Sequence, residues 1–205
     1  MTRFLTATAL VAGLIFSAAP ALAYEAKPLP PVTATDRVLG RADATVTVVE
    51  YASFTCGHCA DWHNQILPGF KTRYIDSGKV RLVFRDMPTQ PANIAASAAA
   101  VGRCAAPGRF FDVAKALMAG QSAAFEAREL GPWFDAAVSA SGRTEAQINT
   151  CLSDPATATA LNTDIQAAIE AGVTGTPTFF VNGRRIDGHS LQALSAAIDP
   201  LVRGR

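Results

Sequence analysis

The chain has 205 residues, 49% of them hydrophobic and 17% charged, enough apolar material for a packed domain and too much for wholesale disorder. Eighteen basic against 17 acidic side chains leave a net charge of +1. That balance excludes a nucleic-acid binder, which needs a phosphate-neutralising excess of Lys and Arg, and it removes polybasic attraction to membranes.

The first 23 residues have the anatomy of a secretory signal peptide. Arg3 makes a basic start, Leu5 to Phe16 is an apolar run, and Ala21-Leu22-Ala23 is an A-x-A cleavage pattern. As a helix, such a run of about 12 residues rises only about 18 Å against about 30 Å of hydrocarbon, so it does not anchor the protein. The expected product, cut after Ala23, is exported to the periplasm with its four cysteines in an oxidising compartment.

Residues 24–40 read as an extended lead-in stiffened by Lys27-Pro28-Leu29-Pro30-Pro31. Thr45 to Tyr51 is rich in β-branched residues and predicts a strand. A helix should start at Cys56, with Cys59, Trp62, Ile66, Phe70 and Tyr74 on nearly one face and a kink at Pro68. Val80 to Arg85 predicts the next strand. Residues 91–171 are Ala-rich, and their Pro and Gly breaks leave four or five helices, the clearest over Asn93–Ala106, Arg109–Ala119 and Ala156–Ala171. Thr178 to Val181 and Arg184 to Asp187 flank Asn182-Gly183, a strong hairpin signal. Ser190 can cap a last helix with Leu191, Leu194, Ile198 and Leu201 as its buried stripe. The pattern is an α/β fold whose two halves, 41–90 and 172–205, are separated by an all-helical insertion at 91–171.

Cys56-Gly57-His58-Cys59 stands where the first strand gives way to a helix. Two cysteines three apart at a helix start come within disulfide range. Cys56 meets free backbone N–H groups and the positive end of the helix dipole, which favour a thiolate; His58 can add a donor or a charge. Cys59, one turn inward, should be the buried resolving thiol.

These residues carry a resemblance. Glu50-Tyr51-Ala52-Ser53-Phe54-Thr55-Cys56-Gly57-His58-Cys59, with Gly175-Thr176-Pro177-Thr178-Phe179-Phe180, resembles the DsbA-like thiol–disulfide oxidoreductases of the thioredoxin superfamily. The resemblance implies a thioredoxin-like fold with the helical insertion, and a redox-active Cys56–Cys59 disulfide. It further implies a cis Pro177 facing that pair, and a Thr176 backbone that pairs with a substrate strand. Glu50 matches an acidic position beneath the buried cysteine, where it would relay a proton. No cofactor is implied. The implied clients are reduced, unfolded exported polypeptides, and the implied reoxidant is a DsbB-type membrane quinone reductase. Two departures stand out: Gly57 where DsbA has proline, and Thr176 rather than Val before Pro177, as in periplasmic isomerases. They suggest a couple nearer the roughly −180 mV of protein disulfide isomerase than the roughly −120 mV of DsbA.

Other readings bear on the same residues. Zinc would need four ligands in a spacing the chain lacks, whereas soft Cu(I) binding by Cys56, Cys59 and His58 is chemically open. A peptide-binding holdase that keeps only the groove is the rival without chemistry. Isomerase or reductase activity would use the same site in another direction, but only about twenty residues precede the fold, too few for the dimerisation region of known isomerases; the expectation is a monomeric oxidase. Cys104 and Cys151, both in the helical block, most simply form a structural bridge. His63 reads as a solvated or rim histidine, His189 as a turn residue, and Phe54, Trp62, Phe179 and Phe180 as core.

Overall fold

The structure, a computed structural model, describes residues 27–203; the signal-peptide reading lies outside the described residues. Strand β2 (Val46–Ala52) forms the centre of a five-stranded sheet with β1 (Arg37–Leu39), β3 (Val80–Asp86), β4 (Thr178–Val181) and β5 (Arg184–Ile186), in the order β1-β3-β2-β4-β5. β2 and β3 run parallel, with Val46 opposite Val80 and Ala52 opposite Asp86; every other pairing is antiparallel. The Asn182-Gly183 turn has both residues at positive φ, 47° and 82°, as a two-residue hairpin joining β4 to β5 requires.

β1 departs from the reading of residues 24–40 as a plain lead-in. Three residues carry too little periodicity to announce a strand. Long-range ion pairs hold it: Arg37 Nη2 lies 2.6 Å from Asp86 Oδ2, and Arg85 Nε lies 2.9 Å from Asp36 Oδ1. Arg85 also donates to the carbonyls of Pro30 and Pro31, pinning the proline-rich segment against the sheet.

A parallel pair needs a crossover, and the chain from Gly57 to Ile75 supplies it. It is not one kinked helix. Helix α1 (Gly57–Asp61) passes into a π-turn (Trp62–Ile66), then α2 (Leu67–Phe70), then a second π-turn (Lys71–Ile75). Pro68 has no N–H for the Asn64 carbonyl and its ring would crowd that oxygen. The wider turn just before it, closed by the Leu67 N–H to the Trp62 carbonyl, opens the coil there. Trp62, Phe70 and Tyr74 still reach the core, while Ile66 is half-buried.

Five helices form the insertion: α3 (Ala92–Arg103), α4 (Phe110–Ala127), α5 (Gly131–Ala140), α6 (Glu145–Leu152) and α7 (Pro155–Glu170). α4 runs eight residues beyond the Ala119 expected as its end. Gly120 does not break it; a Cβ there would come within 3.0 Å of the Trp133 ring, so glycine lets α5 press onto α4. α8 (Leu191–Arg203) starts with the Ala193 N–H donating to Ser190 Oγ at 3.1 Å. Leu194 and Ile198 are fully buried, but Leu201 is 41% exposed, since the described residues give the helix end no cover. The predicted stripe is one residue too long.

Alternation along β2 sends Val46, Val48, Glu50 and Ala52 to one face and Val49 and Tyr51 to the other. On the first face Val46 and Val48 pack with Trp62, Phe70, Leu82, Phe179, Leu194 and Ile198. Ala52 packs instead with Phe54, Phe84 and the buried side chains of α3 and α4. On the second face Val49, Tyr51, Val83 and Phe180 pack under Ala168 and the lead-in. The insertion is tied down by Arg103, which reaches Asp86 Oδ2 at 2.9 Å and Asp164 Oδ2 at 2.6 Å.

Candidate active site

β2 ends at Ala52, and Cys56 follows as the N-cap of α1, with extended φ and ψ of −89° and 117°. Its carbonyl accepts the Cys59 and Ala60 N–H groups, both at 3.1 Å. Its sulfur is half-buried and lies 3.3 Å from the Thr176 carbonyl oxygen, to which the thiol donates while it is protonated. Gly57 fills the first helical position, and a Cβ there would meet nothing within 4 Å. Glycine is therefore not a steric necessity; proline would also fit that position.

The two thiols are in opposite electrostatic situations. Cys56 is held down to about 5, chiefly by a hydrogen bond from the Cys59 thiol, helped by Thr176 and by the Cys59 and His58 backbone N–H groups against the opposing effect of burial. The Thr176 hydroxyl, buried and without another hydrogen-bond partner, is available to the sulfur once it ionises. Cys59 is fully buried, and burial pushes its thiol far above the ordinary range, reinforced by the hydrogen bond to Cys56 and the charge of Glu50. One sulfur is an anion at neutral pH; the other holds its proton.

Behind Cys59 the floor of the site is polar at one point. Glu50 is 0% exposed and its register partners on both sides are phenylalanines, Phe84 on β3 and Phe179 on β4. Its two carboxylate oxygens each lie 3.0 Å from His63 Nε2. From the insertion, Gln121 on α4 donates to the carbonyls of Phe54 at 2.7 Å and Cys56 at 3.1 Å. The Thr176–Pro177 peptide is cis, as is Gln90–Pro91.

A family model described as Thioredoxin matches residues 32–200. The chain belongs to the thioredoxin family. This thioredoxin-family chain is 34% identical over 172 residues to a curated relative from Rickettsia bellii named "Putative protein-disulfide oxidoreductase", covering 82% of this chain and 64% of the relative. It spans between 59% and 64% of the length of four such Rickettsia relatives. Among solved structures it is similar to α-DsbA1 of Wolbachia pipientis, with a TM-score of 0.75 and 26% identity over 86% of this chain and 94% of that one. BdbD of Bacillus subtilis, at 23% identity, shares the fold with a TM-score of 0.76 over 88% of this chain and all of that one.

The fold thus brings Cys56, Cys59, Glu50, Thr176 and Pro177 to one place from two stretches of chain more than a hundred residues apart. His58 is exposed, and what it gives the Cys56 anion comes from its main chain, whereas the sequence pointed to its ring. His63 is a correction. It is not a rim histidine but a buried one, its side chain 3% exposed. The signal was present, since His63 lies four residues after Cys59 and so on its side of a helix. His189 stays in the loop after β5, yet its ring sits 6.0 Å from that of His58. Gln121 had no sequence signal, because its partners lie more than sixty residues away. Phe54, Trp62, Phe179 and Phe180 are all core.

Cys104 and Cys151 are bonded to each other, with Cα atoms 5.8 Å apart, joining the end of α3 to the last turn of α6.

Proposed function

We propose that the protein is an exported thiol–disulfide oxidoreductase that introduces disulfides into reduced, unfolded polypeptides, working as a monomer in the periplasm. The observation that carries the reading is the pair of thiols at the start of α1: Cys56 ionised and half-buried against Thr176, with Cys59 protonated behind it. In the oxidised protein a client thiolate attacks the accessible Cys56 sulfur, and a second client thiol then displaces Cys56, which leaves readily because its anion is stable. Thr176 and Pro177 form the edge against which an extended client strand pairs by main-chain bonds, a recognition mode tolerant of sequence. Reoxidation of the dithiol falls to a DsbB-type quinone-linked membrane partner.

The test is to equilibrate the protein with glutathione buffers and then offer it a reduced and a scrambled client. An oxidase restores activity to the reduced client and works poorly on the scrambled one; the reverse preference makes it an isomerase. Cys56→Ser should abolish transfer to both. A variant that still protects clients from aggregation as well as wild type, from a protein that transfers no disulfide, would make it a holdase.

A further inference from the structure

Sulfur exchange at this site leaves one proton unaccounted for. When a client thiolate attacks Cys56 in the Cys56–Cys59 disulfide, the client–Cys56 bond forms, the Cys56–Cys59 bond breaks and the electron pair departs on Cys59. No outside oxidant or reductant enters. Yet Cys59 sits where burial and the Glu50 charge both oppose an anion, so the leaving sulfur must take up a proton as it departs. It must return that proton when it attacks the mixed disulfide in the reverse step. Solvent does not reach Cys59, which is 0% exposed.

We propose that His63 is a positioning residue that acts through Glu50: it aims the buried carboxylate and holds the proton that Cys59 takes up and gives back in each exchange. The inference rests on the disulfide-exchange reading and assigns that site a residue it did not include.

Three features support it. Glu50 lies between Phe84 and Phe179 in the sheet, so the strands beside it offer no polar side chain directly opposite. A carboxylate buried without a partner would be costly, and His63 Nε2, equidistant from both oxygens, is the side chain that meets it. The imidazole is itself fixed, its ring 5.3 Å from that of Trp62 and 5.8 Å from that of Phe84. Further, an imidazole facing a carboxylate is a pair that can hold one proton or two, with the second lost to a neighbouring sulfur anion at no net separation of charge. Beyond Glu50 from β2 and the two thiols of α1, the one polar side chain that α4 buries is Gln121, while its Asp112, Lys115 and Glu126 are exposed. On β3, Asp86 is taken by Arg37 and Arg103.

The experiment mixes the oxidised protein with a single-cysteine peptide. It then follows the formation and the decay of the mixed disulfide from about pH 4 to about pH 9, a span that covers the ordinary imidazole range. His63→Leu removes the partner; His63→Gln keeps an N–H for Glu50 but carries no titrating proton. Both steps should slow by about a hundredfold or more at neutral pH in His63→Leu, the lower end of what a placed proton donor contributes. The pH dependence should flatten in both variants, while alkylation of Cys56 in the reduced protein stays within about twofold of wild type. Should His63→Leu fail to fold, the pH profile of His63→Gln decides alone. The proposal is overturned if His63→Gln reproduces the wild-type profile, which would leave His63 a hydrogen-bonding role only, or if His63→Leu tracks wild type at every pH. A wild-type protein that forms no mixed disulfide overturns the exchange reading, and this inference with it; normal exchange in wild type and variants alike sinks this one only.

Discussion

The molecule holds two pairs of cysteines, and the fold treats them in opposite ways. Cys104 and Cys151 lie wholly within the helical insertion, at helix C-terminal ends, and are joined in a bridge that closes 47 residues of sequence. Cys56 and Cys59 lie at a helix N-terminal end on the sheet half, three residues apart, and stand as free thiols. A helix C-terminus offers a sulfur only carbonyl oxygens, which repel an anion, whereas an N-terminus offers N–H groups and positive potential. The same element thus becomes a staple in one region and a nucleophile in the other. Position relative to helix polarity and solvent decides, not the residue type.

The sharpest way to break that contrast is the pH dependence of alkylation. Because Cys56 is depressed to about 5, its rate of reaction with iodoacetamide should be flat from neutrality down towards pH 5 and then fall about tenfold per unit. In stability terms the sign is that of a lowered acid. The contribution of the Cys56 anion to the reduced fold is complete above the thiol's unfolded value, shrinks as pH falls below it, and is gone once pH has passed below about 5. An ordinary thiol profile would erase the difference between the two regions.

Replacing Cys104 and Cys151 with alanine tests the other half. Loop-closure entropy for a bridge of this span predicts a loss of about 4 kcal/mol in denaturant unfolding, with disulfide transfer retained below the new midpoint. Lost transfer in a folded variant would instead make that pair a second relay.

Gln121 is the link between the regions, since it reaches from α4 to the carbonyls flanking the active-site turn. Gln121→Leu leaves those oxygens without this donor and should cost about 1–3 kcal/mol. Its alkylation profile should also lose sharpness if the insertion holds Cys56 in place. The smallest effect is expected far from the thiols. Thr144 caps α6 in a reciprocal box with Gln147, and Thr144→Ala should lower stability by about 1 kcal/mol without touching transfer.

How much of this was legible in the chain varied with the range of the interaction. The strands β2, β3 and β4, the hairpin and the cap of α8 were all readable, because alternation, turn chemistry and capping act over a few residues. The CxxC at a strand-to-helix junction was readable for the same reason. β1 was not, because three residues become a strand only when Arg37 and Asp36 find Asp86 and Arg85 some fifty positions on. The two π-turns were half visible in Pro68, which signals a disturbance but not the form it takes. His63 shows the limit most clearly: its spacing from Cys59 was in view, but the carboxylate that gives it meaning lies on another element.

By itself, then, the sequence determined which segments could become strands and helices, and which sulfur would meet a helix N-terminus, since local backbone geometry and hydrogen bonding settle those matters. Tertiary structure alone decided that Glu50 would be buried between Phe84 and Phe179 with His63 upon it, that Thr176 would close on Cys56, and that Gln121 would hold the turn from across the fold. Burial and the proximity of distant charges set the acidity of a thiol, and both exist only once the chain has packed.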